Sequence, residues 1–105
     1  MKILFDQGTP HPLRRHLPGH AVDTCAELGW SALRNGDLLR GAEEAGFDLL
    51  ITTDQNLRYQ QNLTGRKLAV VVLLSTSWPM LQGLLPVIRR TVDAVQPSDY
   101  VVIAV

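Results

Sequence analysis

The stretch Leu49-Leu50-Ile51-Thr52-Thr53-Asp54 decides the fold class. Its opening residues are apolar without a break, so a strand made from them must bury both faces. An antiparallel strand with one wet face alternates apolar with polar residues, whereas a strand of a parallel sheet covered by helices does not. Two further runs read the same way, Ile3-Leu4-Phe5 at the start and Leu68-Ala69-Val70-Val71-Val72-Leu73-Leu74 after the middle. Tyr100-Val101-Val102-Ile103-Ala104-Val105 is a fourth strand candidate, and Ala21-Val22-Asp23-Thr24 a weaker fifth.

Helical segments lie between these runs. Pro12 to Leu17 and Cys25 to Leu28 are short. Asp37 to Ala45 sets Leu38, Ala42 and Ala45 on one face, and Gly46 stops it. Asp54 to Leu63 is a fourth helix candidate. Trp78 to Val95 is the longest, opened by Ser77 and Pro79 and kinked by Pro86. Strand and helix alternate along the chain, which predicts an α/β fold with a mostly parallel sheet.

The chain has 105 residues, the size of one domain (about 100–150 residues is usual), so a single domain spanning 1–105 is expected. A hydrophobic share of 46% suffices for a core and argues against disorder. Ten Lys and Arg balance ten Asp and Glu, which excludes a polybasic binder of nucleic acid or of anionic membrane. The single cysteine, Cys25, can form no internal disulfide and fits a reducing compartment. The opening Met1-Lys2-Ile3-Leu4-Phe5-Asp6 meets a charge too early for a signal peptide, and no apolar run approaches the roughly 20 residues of a spanning helix. The expectation is a cytoplasmic protein without membrane contact.

In open parallel sheets, ligands bind beyond the carboxyl ends of the strands. Asp6 follows the first strand there, Asp54 follows Leu49–Thr52, and Ser75 follows Leu68–Leu74. Asp37 opens a helix whose start faces the same edge. Each has a plain structural role open to it: Asp6 as a turn former, Asp54 as a helix cap, Asp37 as a charge offsetting the helix dipole. Their coincidence at one edge favours a site. Clustered carboxylates form the hard-oxygen shell preferred by Mg²⁺ or Mn²⁺, which can activate water and stabilise a phosphoryl transition state. Eight of the ten basic residues are arginine, and Arg14, Arg15, Arg34 and Arg58 lie near the edge residues as candidate phosphate contacts. A receiver-type domain would need an acidic pair after the first strand and a late lysine, and a dinucleotide fold a G-x-G-x-x-G motif there; neither is present. His11, His16 and His20 lack metalloprotease spacing.

Lys2-Ile3-Leu4-Phe5-Asp6, Pro18-Gly19-His20-Ala21-Val22, Glu27-Leu28-Gly29-Trp30, Gly36-Asp37-Leu38-Leu39, the run Ala45 to Asp54 and the following Asn56-Leu57 together resemble the small stand-alone PIN-like domains of toxin-like bacterial proteins. The likeness covers nearly the whole chain. It implies a three-layer α/β/α sandwich and a metal-dependent endoribonuclease acting as the toxin of a toxin–antitoxin pair, with a small antitoxin protein as partner. Carried over by position, Asp6, Asp37 and Asp54 match the acidic pattern that holds Mg²⁺ or Mn²⁺, with Asn56 as an auxiliary metal ligand and Ser75 assisting at the RNA. Gln7 and Asn56 stand where many or some relatives carry an acidic residue, and each removes one negative charge from the metal shell. The alternative is therefore a catalytically weak PIN-like module that binds RNA or a partner protein. The apolar final run, Tyr100 to Val105, adds the expectation that its edge is shielded by neighbouring elements or by a homodimer.

Overall fold

The computed structural model describes residues 1–57 and 65–104. Five strands form one sheet: β1 (Lys2–Phe5), β2 (Ala21–Thr24), β3 (Leu49–Thr52), β4 (Ala69–Leu73) and β5 (Tyr100–Ile103). Their spatial order is β2-β1-β3-β4-β5, and every neighbouring pair is parallel. The sheet is thus parallel throughout, as the unbroken apolar runs require. A 3-10 helix, His11–His16, links β1 to β2, and helix α1 (Asn35–Glu44) links β2 to β3. Helices α2 (Trp78–Gln82) and α3 (Leu85–Ala94) link β4 to β5.

The pleat sorts each strand into two cores. Ile3, Phe5, Leu49, Ile51, Val71 and Leu73 pack with Leu13 of the 3-10 helix, Leu81 of α2, and Ile88 and Val92 of α3. Leu4, Leu50, Val70 and Val72 pack on the other face with Leu38, Leu39 and Ala42 of α1 and with Phe47. Helices therefore cover both faces, giving three layers. Ile3, Leu4, Phe5, Leu49, Leu50 and Ile51 have no exposed surface, and burying each such side chain stabilises the fold by roughly 1.5–3 kcal/mol.

Helix α1 buries Leu38, Leu39 and Ala42, whereas Ala45, expected on that face, is exposed at the C-cap. The helix ends in a Schellman motif. Phe47 N–H donates to Ala42 O and Gly46 N–H to Glu43 O, each at 3.0 Å, with Gly46 at φ 82°. The stretch expected as a short helix at Cys25–Leu28 is a chain of turns, closed by Gly29 at φ 72°. The long helix expected over Trp78–Val95 is two helices. Pro86 has no N–H for the Gln82 carbonyl, so the helix breaks at Gly83-Leu84 and restarts with Pro86 in its first turn, where the missing donor costs nothing. The segment Asp54–Leu63 falls mostly outside the described residues. Among the described residues, no helix is long and apolar enough to cross a membrane.

Candidate functional site

The strand order sets the location. From β1 the chain goes to β2 on one side, then crosses to β3 on the other, so the sheet's topological switch point lies between the carboxyl ends of β1 and β3. A cavity of about 360 Å³ opens at this edge. Asp6, just past β1, and Asp54, just past β3, both line it, together with Gln7, Gly8 and Arg34.

Asp6 is anchored from several directions. Its N–H donates to Ile51 O at 3.2 Å, extending the β1–β3 ladder by one residue. Its Oδ1 accepts the Gly8 N–H at 3.2 Å and lies 2.9 Å from the Thr9 hydroxyl. That hydroxyl also lies 2.8 Å from Ile51 O, and its single proton serves one acceptor at a time. Asp6 Oδ2 accepts the Thr52 hydroxyl. Thr52 Oγ1 in turn accepts the Asp54 N–H at 3.0 Å, and Asp54 Oδ1 accepts the Asn56 N–H at 2.9 Å. Both carboxylates are therefore turn formers and cavity residues at once. Gly8 lies close to Thr53: a Cβ there would stand 2.2 Å from Thr53 Oγ1, so a larger residue would need that hydroxyl to rotate away.

The other expected residues are distributed differently. Asp37 does not line the cavity. It lies in the first turn of α1, with its side chain 70% exposed and its Oδ1 accepting from Arg40 at 2.5 Å, one turn along the same helix. Three carboxylates do not converge, and among the described residues no group of three or more His, Cys, Asp or Glu is placed to hold a metal. Asn56 meets Asp54 through its backbone N–H. Ser75 is apart from the cavity, its Oγ accepting the Ser77 N–H at 2.9 Å. Arg14 is held by Glu27 through a two-pronged pair, one arm at 3.1 Å. Arg15 is exposed on the 3-10 helix, and Arg58 lies outside the described residues. Of the four candidate arginines, Arg34 is the one seen at the cavity, and no carboxylate among the described residues is within ion-pair range of it.

The Arg14–Glu27 pair clamps the β2 terminus to the 3-10 helix. Hydrogen bonds from Arg14, then from the Thr24 N–H, pull the Glu27 carboxyl down to about 2, and Glu27 holds the Arg14 guanidinium above its ordinary value.

Sequence patterns alone missed the apolar part of the cavity lining, made by Cys25, Trp30, Leu33 and Leu38. Trp30 and Leu33 sit in the irregular link between β2 and α1, where no hydrophobic period marks them. The Cys25 thiol is pushed up to about 11 by burial and by the nearby Asp6 charge, which disfavours the reactive thiolate at neutral pH.

Asp6 and Asp54 are the two carboxylates that line the cavity. Asp54 Oδ2 has no partner among the described residues, and Asp6 Oδ2 keeps one lone pair beyond the Thr52 bond. Mg²⁺ binds typically through one or two carboxylates, retaining waters and taking substrate phosphates, rather than in an all-protein cage. With two carboxylates, the lining falls short of a closed all-protein metal cage. A second cavity, of about 540 Å³, lies at the amino edge, but its acids are already engaged: Glu43 pairs with Arg66 at 2.6 Å and Asp48 accepts the Lys2 N–H at 2.8 Å. No protein-family model, curated protein or solved structure matches the chain.

Proposed function

We propose that the chain is a PIN-like, metal-dependent endoribonuclease whose site is the Asp6–Asp54 cavity. One observation supports this above the others: both acids that end neighbouring parallel strands line a single cavity at the sheet's switch point. A divalent cation, when bound, would lower the pKa of a coordinated water and offset charge on a phosphoryl oxygen. Asp6 and Asp54 would hold it, with Thr9 and Thr52 fixing the Asp6 carboxylate and Asn56 fixing that of Asp54. Arg34, free of ion pairing among the described residues, would take an RNA phosphate from the cavity rim. The reading carries with it the toxin role, a small antitoxin partner and a cytoplasmic location, the last in keeping with the free, buried Cys25.

A second reading rests on Asp37. With that carboxylate turned to Arg40, and with Gln7 and Asn56 uncharged, the site has two acids, which favours a catalytically weak module that binds RNA or a partner protein.

Incubation of the protein with total RNA in Mn²⁺, Mg²⁺ or EDTA separates the two. Cleavage in a metal that EDTA abolishes supports the nuclease. EDTA-resistant cleavage, or none with either metal, rejects it.

A further inference from the structure

The cavity lining combines two chemistries. Asp6, Asp54 and Arg34 are polar and charged, whereas Trp30, Leu33 and Leu38 are apolar. A bare metal site needs no aromatic wall. Trp30 is half-buried, and its main chain is tied on both sides: its backbone N–H donates to Cys25 O at 2.8 Å, and its backbone O accepts the Leu33 N–H at 2.9 Å. Phe47 meets its ring edge-on, with centroids 6.2 Å apart and planes at 72°. Helix α1 comes close enough at Gly41 that a Cβ there would lie 3.7 Å from the indole. An aromatic ring packed against Phe47 and Gly41, in the same cavity as an arginine with no ion pair among the described residues, matches the two parts of a nucleotide, since bases stack on aromatic faces and guanidinium groups grip phosphate.

We infer that the cavity receives one nucleotide unit, its base stacked on Trp30 and its phosphate on Arg34. This rests on the phosphodiester reading for its biological setting, although the stacking itself needs no metal. At about 360 Å³ the cavity is near the small end of ligand pockets, which run from about 300 to 1,000 Å³. It admits one unit and no duplex. A base paired in a helix could reach Trp30 only by leaving its stack, so single strands or free nucleotides are the expected ligands.

The chain has two tryptophans, so the Trp78→Phe protein reports Trp30 fluorescence alone. It is titrated in EDTA with uridine monophosphate and, separately, with a short oligouridylate. Saturable quenching by the oligomer, the mononucleotide or both supports the site and tells which source of the nucleotide it takes. Affinity for a labelled oligouridylate is then measured with Trp30→Leu, which keeps an apolar side chain, and Trp30→Phe, which keeps a stacking face. Stacking predicts roughly 5- to 150-fold weaker binding for Trp30→Leu and recovery of most of it in Trp30→Phe. Arg34→Gln should weaken binding and flatten its salt dependence. Equal affinity for Trp30→Leu and wild type overturns the inference, as does absence of binding to both probes. Quenching that persists in a protein showing no cleavage with either Mn²⁺ or Mg²⁺ rejects the nuclease and keeps the nucleotide site.

Discussion

Thr52 ties Asp6 to the chain beyond β3: its buried hydroxyl donates to Asp6 Oδ2 and accepts the Asp54 N–H at 3.0 Å. One oxygen thus sets the position of both acids. Thr52→Val keeps the shape and removes the hydroxyl, leaving the Asp54 N–H without its acceptor and Asp6 without one donor. Loss of a buried partner of this kind costs about 1–3 kcal/mol. Thermal unfolding should show a lower Tm for Thr52→Val, while Thr52→Ser, which keeps the hydroxyl, should lose much less. Equal losses for the two variants would assign Thr52 to packing alone.

Asp54 carries both a cap-like hydrogen bond and a cavity position, and two substitutions separate these. Asn accepts the Asn56 N–H about as well as Asp, so Asp54→Asn should leave the metal-free Tm close to wild type. Asp54→Ala should lose about 1 kcal/mol. Wild-type protein should gain stability with Mn²⁺, about 2.7 kcal/mol at a hundredfold excess over Kd, and Asp54→Asn should not. A wild-type melt indifferent to Mn²⁺ would remove the metal from the account of Asp54.

The strands were legible because unbroken apolar runs admit one environment, a sheet covered on both faces. Asp6 and Asp54 were legible because each ends such a run at the edge where parallel sheets bind. Asp37 shows where reading by position fails. Its neighbour Arg40, one turn on, competes for the carboxylate, and an exposed helix position lets that local pair form. Arg14 has a partner that its sequence context does not show: Glu27 lies 13 residues away and is brought close only by the fold. Trp30 sits in a link with no periodicity, so nothing in its sequence context separated packing from a cavity wall.

Strand β5 is an edge of the sheet, and among the described residues no strand pairs with its outer side. Val102 on this strand is 44% exposed. Unpaired N–H and C=O groups beside an apolar side chain favour pairing with another chain. Light scattering should give a mass of two 11.6 kDa chains, with Val102→Lys shifted toward one. A single-chain mass for wild type at micromolar concentration would show that the edge is tolerated open.

Cys25 lines the cavity with Asp6, but the residue is only 2% exposed and its thiol pKa is raised to about 11. At pH 8 the reactive thiolate is therefore scarce in the folded protein. Alkylation by iodoacetamide should be far slower than in the urea-unfolded chain, and Asp6→Asn, which removes the nearby negative charge, should speed it modestly. A folded-state rate equal to the unfolded one would mean that the cavity opens enough to bare the thiol.

The Arg14–Glu27 clamp makes the stability of the β2 terminus depend on pH. Glu27 has an ordinary value of 4.5 and a folded value of about 2. A carboxyl whose pKa is lowered by folding stabilises the native state above its unfolded value and loses that contribution as pH falls toward its folded value. Glu27→Gln keeps an oxygen for the Thr24 N–H, which lies 2.9 Å from Glu27 Oε1, and removes the charge. The variant should melt below wild type at pH 7. The gap should hold down to about pH 5, narrow between 4.5 and 2, and close at the acid end. Both partners are partly exposed, with 39% and 49% of their side-chain surface accessible, so high salt should shrink the neutral-pH gap. A gap that stays constant from pH 7 to pH 2 would trace the loss to shape rather than charge, and the clamp would then owe its strength to packing.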